Sequence, residues 1–155
     1  MNKFTVLRDT KEKVDYWDFG KSNFCLGTES VSLETGDYQI KELPSNILTI
    51  DRKRTTSEIS QNIFEDRFER ELERMEKFKH AFIITQFDLC DIMSFPSNSG
   101  IPKFKWGKLR VTADLILRRI CEMEINHNVK FVFAGLHAKR YCESLFKRIF
   151  ERYDK

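Results

Sequence analysis

The sequence lacks the features that mark secreted, membrane-spanning and zinc-binding proteins. Its first residues, MNKFTVLRDTKEK, contain no apolar signal-peptide segment, and no apolar run approaches the roughly 20 residues that a membrane helix requires. The 4 cysteines occur without a C-x-x-C pair, and the 3 histidines are equally scattered. A structural zinc site usually needs closely spaced ligands. These absences predict an intracellular, cytoplasmic protein with reduced, mostly buried thiols and no structural zinc.

Neither sign of charge dominates the chain. Its 27 basic and 24 acidic side chains leave a net charge of +3, which neither demands nor excludes a polyanionic partner, because clustering matters more than the total. The sequence has no internal repeats, low-complexity tracts or obvious linker. A length of 155 residues with 41% hydrophobic residues therefore predicts a single domain over residues 1–155.

The spacing of apolar residues predicts alternating strands and helices. Strands are predicted at 4–9, 30–40, 46–53, 80–87 and 129–135, and helices at 57–79, 107–126 and 137–153. The turn at 43–46 makes the second and third strands a hairpin. This order predicts an α/β fold with a central mixed β-sheet and helices on both faces.

The predicted hairpin carries two carboxylates and a lysine. Asp51 and Lys53 project to the same side of their strand, and Asp37 begins the neighbouring strand, so it can lie across from them. Converging carboxylates repel, and Mg²⁺, which prefers one or two carboxylates together with phosphate oxygens, offsets that repulsion. An ammonium can hold the attacking water or neutralise charge on the phosphorane. The pattern fits metal-dependent phosphodiester hydrolysis; alternatively, these are solubilising or edge-protecting strand charges.

Four short motifs follow one another along the chain: VLRDTKEK (6–13), GDY (36–38), IDRKRTTSEI (50–59) and EDRFERE (65–71). They resemble, in order, the V-D-T-R-E, Gly-Asp, E-R-K-x-x-x-D and Gly-Arg-Phe motifs of the XPF-type nuclease domain, which occurs in XPF, Mus-type and Hef endonucleases. The resemblance implies a restriction-endonuclease-like PD-(D/E)xK core. It also implies a divalent-metal-dependent DNA endonuclease that acts on branched, flap or single-strand-containing DNA.

The resemblance also implies roles for individual residues. Asp37 and Asp51 would bind Mg²⁺ or Mn²⁺, and Lys53 would serve the attacking water or the transition state. The residues implied at the catalytic rim or near the phosphates are Asp9, Glu12, Arg52 and Arg67.

The chain departs from the family pattern at several positions. Asp51 stands where the family has Glu, and Lys11 stands where it has Arg, which loses bidentate phosphate recognition. Ser57 occupies the position of the trailing Asp, and whether Glu58 replaces that acid or only caps a helix stays open. Full-length relatives add helix-hairpin-helix modules or a helicase, so a stand-alone form of phage or mobile-element kind is expected here. The alternatives are a non-catalytic DNA-binding or scaffolding subunit and a resolvase or restriction-like nuclease.

The segment IPKFKWGKLR (101–110) interleaves basic and aromatic residues. Lys103, Lys105 and Lys108 can contact phosphates, and exposed aromatic rings can stack on unpaired bases, so the segment is predicted to bind DNA. The alternative is a loop whose Phe104 and Trp106 pack into the core. The apolar stripe of LFKRIFERY (145–153) either packs on the sheet or, because the family commonly pairs nuclease domains, contributes to a homodimer.

Overall fold

A computed structural model of the chain describes residues 2–155 and contains one six-stranded sheet. The strands are β1 (Phe4–Asp9), β2 (Cys25–Val31), β3 (Tyr38–Ile40), β4 (Leu48–Lys53), β5 (His80–Thr85) and β6 (Lys130–Phe133). They are ordered β2-β1-β3-β4-β5-β6, with β3 antiparallel to both of its neighbours and every other adjacent pair parallel. The predicted mixed sheet is confirmed.

Helices cover both faces of this sheet, as predicted. They are α1 (Thr56–Asn62), α2 (Asp66–Met75), α3 (Leu89–Met93), α4 (Ala113–Asn126) and α5 (Ala138–Tyr153), with short 3-10 helices at Lys103–Lys108 and Gly135–His137. One face packs on α5 through Cys142, Phe146 and Phe150, and the other packs on the remaining helices through Ile59, Leu72 and Ile120. Within residues 2–155, none of these helices has the length and apolar character needed to cross a membrane.

Three predicted elements differ from the observed ones. The helix predicted at 107–126 begins only at Ala113, after the 3-10 helix Lys103–Lys108. The predicted helix 57–79 is two helices, because the chain turns between α1 and α2; Phe64 in that turn is 57% exposed although it continues the apolar spacing. The predicted strand 30–40 contributes only β3 to the hairpin. The first two residues of the predicted strand, 30 and 31, belong to β2 instead. Strand β2 pairs with the other side of β1 and was not predicted as a separate strand.

The direction of the strands collects several segments at one edge of the sheet. Because β1 and β4 are both antiparallel to β3, they run parallel to each other and to β5 and β6. The carboxyl ends of these four strands therefore lie along one edge, which we call the carboxyl edge. Asp9, Lys53 and Thr85 end their strands there, and the loops that follow begin there.

The thiols are free, but they are less buried than expected. Cys25 and Cys142 are buried, whereas Cys90 and Cys121 are exposed. The prediction that most of the cysteines are buried is wrong for two of the four.

A buried histidine joins α2 to the end of α4. His127 Nε2 lies 2.7 Å from Glu69 Oε1, and Nδ1 lies 3.1 Å from Glu76 Oε2. Burial lowers the pKa of His127, but the hydrogen bonds and charges of the two glutamates outweigh it, so the pKa is raised above its usual value. Protonation of the ring therefore stabilises the folded state relative to the unfolded one.

We expect the His127→Gln variant to be destabilised most at low pH. The contribution of a raised pKa is fully present below the unfolded value of about 6.5 and is lost as the pH rises through the folded value. Urea unfolding at pH 5.5 and pH 9 measures this difference, with His137→Gln, a change at an exposed histidine, as the control. Equal destabilisation at both pH values would contradict the ionic role of His127.

Candidate active site

The β3–β4 hairpin brings the three predicted central residues to one cleft. Asp37 lies immediately before β3, and Asp51 and Lys53 lie on one side of β4. Tyr38 pairs with Ile50, so Asp37 and Asp51 are neighbours across the hairpin. All three side chains line a cleft of about 240 Å³ between the sheet and α2. The alternation of side chains along a strand therefore positions them as the sequence predicts.

Gly36 fixes the position of Asp37. Its φ of +73° lies in the left-handed region, and a Cβ there would overlap Thr49 Oγ1 and lie 3.1 Å from the Ile50 carbonyl oxygen. Two backbone hydrogen bonds then hold Asp37 in place. Its N–H donates to Ile50 O at 2.7 Å, and its carbonyl oxygen accepts from the Asp9 N–H at 2.8 Å. Only glycine fits this close approach of the loop to β4.

The Asp37 carboxylate is half-buried beside other acids. Burial raises the pKa of Asp37 well above its usual range, and the charges of Asp51 and Glu12 raise it further. The Arg52 N–H, which donates to Asp37 Oδ2 at 2.7 Å, and the Lys53 ammonium only partly oppose this rise. The folded protein therefore holds an ionised Asp37 at a free-energy cost.

Asp51 and Lys53 form a buried ion pair. Lys53 Nζ lies 3.1 Å from Asp51 Oδ2 and 3.9 Å from Glu58 Oε1, and it also lies 4.8 Å from the centre of the Phe68 ring. Burial raises the pKa of Asp51 even though Lys53 opposes the rise. Burial lowers the pKa of Lys53, but Asp51 and Glu58 outweigh it and leave the pKa raised. Lys53 is therefore held as an ammonium.

The donor set of the cleft fits a divalent cation. Asp51 Oδ2 is buried and has no hydrogen-bond partner of acceptable angle, although Lys53 lies beside it. Asp37 and Asp51 also repel each other, and a bound cation would remove that repulsion. Across residues 2–155, no group of three or more His, Cys, Asp or Glu side chains is arranged to hold a metal ion. Mg²⁺ commonly uses one or two carboxylates and completes its shell with water and phosphate oxygens.

Helix α2 adds a carboxylate that the sequence analysis did not single out. Glu71 lines the cleft, and its Oε1 accepts a hydrogen bond from the Gly36 N–H at 2.9 Å. Its other oxygen pairs with Arg74. Glu71 thus ties α2 to the loop that carries Asp37. Its position four residues after Arg67 places both residues on one helical face, but this spacing does not reveal the contact with Gly36.

Two of the predicted rim residues have clear structural contacts. Asp9 lines the cleft, and its carboxylate accepts from the Leu33 N–H at 2.9 Å and from the Lys11 N–H at 3.2 Å. Glu12 is not among the residues that line the cleft. It pairs with Arg52 Nε at 2.7 Å and accepts a hydrogen bond from the Tyr38 hydroxyl at 3.1 Å. Glu12 acts on the site through its charge, which raises the pKa of Asp37.

Arg52 does not lie where the family resemblance implies. Its side chain is buried beside Trp17, on the side of β4 opposite to Asp51 and Lys53. The guanidinium donates to the carbonyl oxygens of Val14 at 2.8 Å and Asp15 at 2.7 Å, and it pairs with Glu12. These contacts hold the loop after β1 against β4, so Arg52 is a structural residue rather than a phosphate contact.

The remaining predicted residues are exposed or at the cleft rim. Arg67 lines the cleft with an exposed side chain that pairs with Glu65 at 3.0 Å. Glu58 has two contacts: its N–H donates to the Thr55 hydroxyl, which caps α1, and its Oε2 accepts from the Arg54 N–H at 2.9 Å. Its second oxygen, Oε1, lies 3.9 Å from Lys53 Nζ.

The basic segment forms a 3-10 helix outside the cleft. Phe104 is 80% exposed, whereas Trp106 is half-buried and donates through Nε1 to the Ile101 carbonyl at 2.9 Å. Of the two aromatic residues, therefore, only Phe104 presents an exposed ring. The chain between β5 and α4, which contains this helix, leaves the sheet at the carboxyl edge, where Thr85 of β5 pairs with Lys53 of β4.

Comparison with known proteins shows the fold. XPF from Aeropyrum pernix superposes with a TM-score of 0.63 at 16% sequence identity, over 96% of this chain and 66% of that chain. A second structure, XPF from Aeropyrum pernix in complex with DNA, gives a TM-score of 0.60 at 14% identity, over 97% of this chain and 66% of that one. The chain therefore has the fold of these XPF structures and spans just under two thirds of their length. No protein-family model matches the chain, and no curated protein matches it significantly.

Proposed function

We propose that the protein is a divalent-metal-dependent DNA endonuclease. The observation that carries the proposal is the cleft in which the half-buried carboxylate of Asp37, the buried carboxylate of Asp51 and the ammonium of Lys53 meet on paired strands. The XPF-like fold, seen in one related structure with bound DNA, supports DNA as the substrate. The four-motif resemblance supports the same assignment and favours branched, flap or single-strand-containing DNA.

The carboxylates and the lysine of the cleft would have different roles in the reaction. Asp37 and Asp51 would hold Mg²⁺ or Mn²⁺, which when bound supplies charge neutralisation at the phosphate. Lys53, whose pKa is raised by Asp51 and Glu58 against the effect of burial, remains charged and can orient the attacking water or stabilise the charge that develops on the phosphate oxygens. Phe68 lies beside the ammonium, with the centre of its ring 4.8 Å from Lys53 Nζ.

Cleavage of a panel of DNA substrates by wild-type protein and by Asp51→Asn tests the proposal. The panel contains flap, fork, junction, duplex and single-stranded DNA, each assayed with Mg²⁺, Mn²⁺ and EDTA. We expect wild-type cleavage with metal and none with EDTA, and no cleavage by Asp51→Asn, which removes the ligand charge at little change in volume. DNA binding without cleavage by both proteins would instead support a non-catalytic DNA-binding subunit.

The basic 3-10 helix provides a separate prediction about DNA binding. We expect the Lys103→Ala, Lys105→Ala, Lys108→Ala triple variant to bind duplex DNA more weakly. The slope of log K against log salt should decrease by about 0.9 for each phosphate that the variant no longer neutralises. The control is a triple alanine variant with the same charge change on the opposite helical layer, at Lys139, Arg140 and Arg148 of α5. If the two triple variants have the same slope in a NaCl titration, the 3-10 helix does not contact DNA.

A further inference from the structure

A second groove of about 460 Å³ continues from the cleft. The groove and the cleft share three lining residues, Leu33, Glu34 and Arg74, so the two spaces adjoin. The groove then runs beside the end of α2 and past β3, where Gln39 and Lys77 line it. A chain bound in the cleft has an open path along this side of the sheet.

The balance of charge changes between the two spaces. The cleft is lined by five acidic and four basic side chains, whereas the groove has two basic side chains, Arg74 and Lys77, and one acidic side chain, Glu34. A phosphodiester backbone is therefore repelled at the bottom of the cleft unless a cation is present, and it is attracted in the groove. This distribution fits a strand whose reacting phosphate lies at the carboxylates and whose neighbouring phosphates lie outside.

Helix α2 places its basic residues along this path. Arg67 and Arg74 are seven residues apart, which is about two turns and roughly 10.5 Å along the helix, and they lie on the same face. Arg67 lines the cleft, Arg74 lines both spaces, and Lys77 lines the groove just beyond the end of the helix. Within residues 2–155, Lys77 has no ion-pair partner. Its charge is therefore free to meet a ligand.

We infer that this groove binds the phosphate backbone of the single DNA strand that leaves the cleft on one side of the cleaved bond. The inference rests on the proposed function and adds to it a path for the strand, with Lys77 as a phosphate contact. A single strand is the fitting occupant because single-strand sites combine a basic groove with an aromatic side chain on which unpaired bases can stack, and Phe78 lines this groove together with Arg74 and Lys77. Arg74 also borders the path, but its pairing with Glu71 supports the Asp37 loop, so Lys77 is the better residue to vary.

Two measurements on Lys77→Ala test the inference, with Lys139→Ala on the opposite helical layer as the matched control. The first is fluorescence anisotropy of a labelled single-stranded oligonucleotide titrated with NaCl in EDTA, which requires no cleavage. We expect Lys77→Ala to bind more weakly and to reduce the salt slope by about 0.7, the value for one phosphate contact on a single strand. The control should match the wild type.

The second measurement uses a forked substrate whose cleavage position has been mapped, with the cleaved strand shortened from either end. We expect Lys77→Ala to raise KM with kcat unchanged, because Lys77 would hold its phosphate equally in the ground state and the transition state. Shortening the cleaved strand on the side that lies in the groove should remove the difference in KM between Lys77→Ala and the wild type. Shortening it on the other side should leave that difference unchanged.

The outcomes separate this inference from the proposed function. Wild-type cleavage with Lys77→Ala unchanged in salt slope and KM would overturn the groove assignment and leave the nuclease assignment intact. Weaker binding by Lys77→Ala with no wild-type cleavage in any metal would support the groove as a DNA-binding path and overturn the nuclease assignment. Equal weakening by Lys77→Ala and Lys139→Ala would show a general charge effect and overturn the groove assignment.

Discussion

Asp37→Asn is expected to abolish cleavage and at the same time to raise the melting temperature. The substitution removes the charge of a proposed metal ligand, so the cleaving activity should fall below detection. It also removes the free-energy cost that burial and the charges of Asp51 and Glu12 impose on the ionised carboxylate. The asparagine oxygen can still accept the hydrogen bond from the Arg52 N–H, which holds the side chain at 2.7 Å in the wild type. A residue retained only for stability would not behave in this way.

The stability gain of Asp37→Asn should depend on pH. The pKa of Asp37 is higher in the folded state than in the unfolded state, so the folded wild type loses stability as the pH rises from the ordinary carboxyl range of about 3.9 through the raised value. The variant lacks this loss. The melting temperature of Asp37→Asn should therefore equal that of the wild type at the lowest pH and exceed it most at high pH, as measured by thermal unfolding in EDTA.

A matched change at an exposed aspartate provides the control for this experiment. Asp18→Asn alters the net charge equally at a side chain that is 71% exposed, and its stability should stay within about 0.5 kcal/mol of wild type with activity retained. Addition of Mn²⁺ should raise the melting temperature of the wild type and of Asp18→Asn, because a ligand that binds only the folded state stabilises it. A similar rise in Asp37→Asn would contradict the assignment of Asp37 as a metal ligand.

Gly36→Ala is expected to be severely damaging to both folding and activity. The positive φ costs about 1 to 2 kcal/mol for a residue with a Cβ, and the overlap of that Cβ with Thr49 Oγ1 adds an overpacking cost of about 1 to 3 kcal/mol. The loop must move to relieve the contact, and it carries Asp37 with it. A displacement of about 1 Å at a reacting centre lowers activity by about 10²-fold.

The Gly100→Ala variant separates the cost of the positive φ from the cost of overpacking in Gly36→Ala. Gly100 has a similar φ of +84°, and nothing lies within 4 Å of the position of its Cβ. It should therefore lose about 1 to 2 kcal/mol from the free energy of unfolding and keep its activity. Thr49→Ala combined with Gly36→Ala should recover part of the stability, since it removes the closest atom. Equal destabilisation by Gly36→Ala and Gly100→Ala would show that the close packing against β4 is unimportant.

The sequence predicts the central hairpin well because its signals are local. Side chains alternate along β4, and a turn precedes it, so Asp51 and Lys53 are correctly placed on one side of the strand. The pairing with β3 then brings Asp37 to the same cleft. The same alternation also places Arg52 on the opposite side of the strand, and that consequence contradicts the phosphate contact that the family resemblance implies.

Other parts of the structure depend on contacts between distant segments. Strand β2 contains Gly27 and is partly exposed at the edge of the sheet, so its own residues give a weak strand signal. The break between α1 and α2 is hidden because the apolar spacing continues through Phe64. The role of Glu71 arises only when α2 packs beside the Asp37 loop, 35 positions earlier in the chain, where it meets Gly36. Periodicity within one element cannot reveal such a contact.

The initial rate of cleavage of a labelled forked DNA, measured as Mn²⁺ or Mg²⁺ is added to EDTA-treated protein, tests the central claim most directly. We predict that the wild-type rate is at background without metal and rises to saturation as metal is added. Asp37→Asn, prepared and assayed in parallel, should remain at background at every metal concentration. Wild-type cleavage that persists in EDTA, cleavage by Asp37→Asn at the wild-type rate, or no cleavage at any metal concentration would contradict the claim that this cleft is a metal-dependent nuclease site.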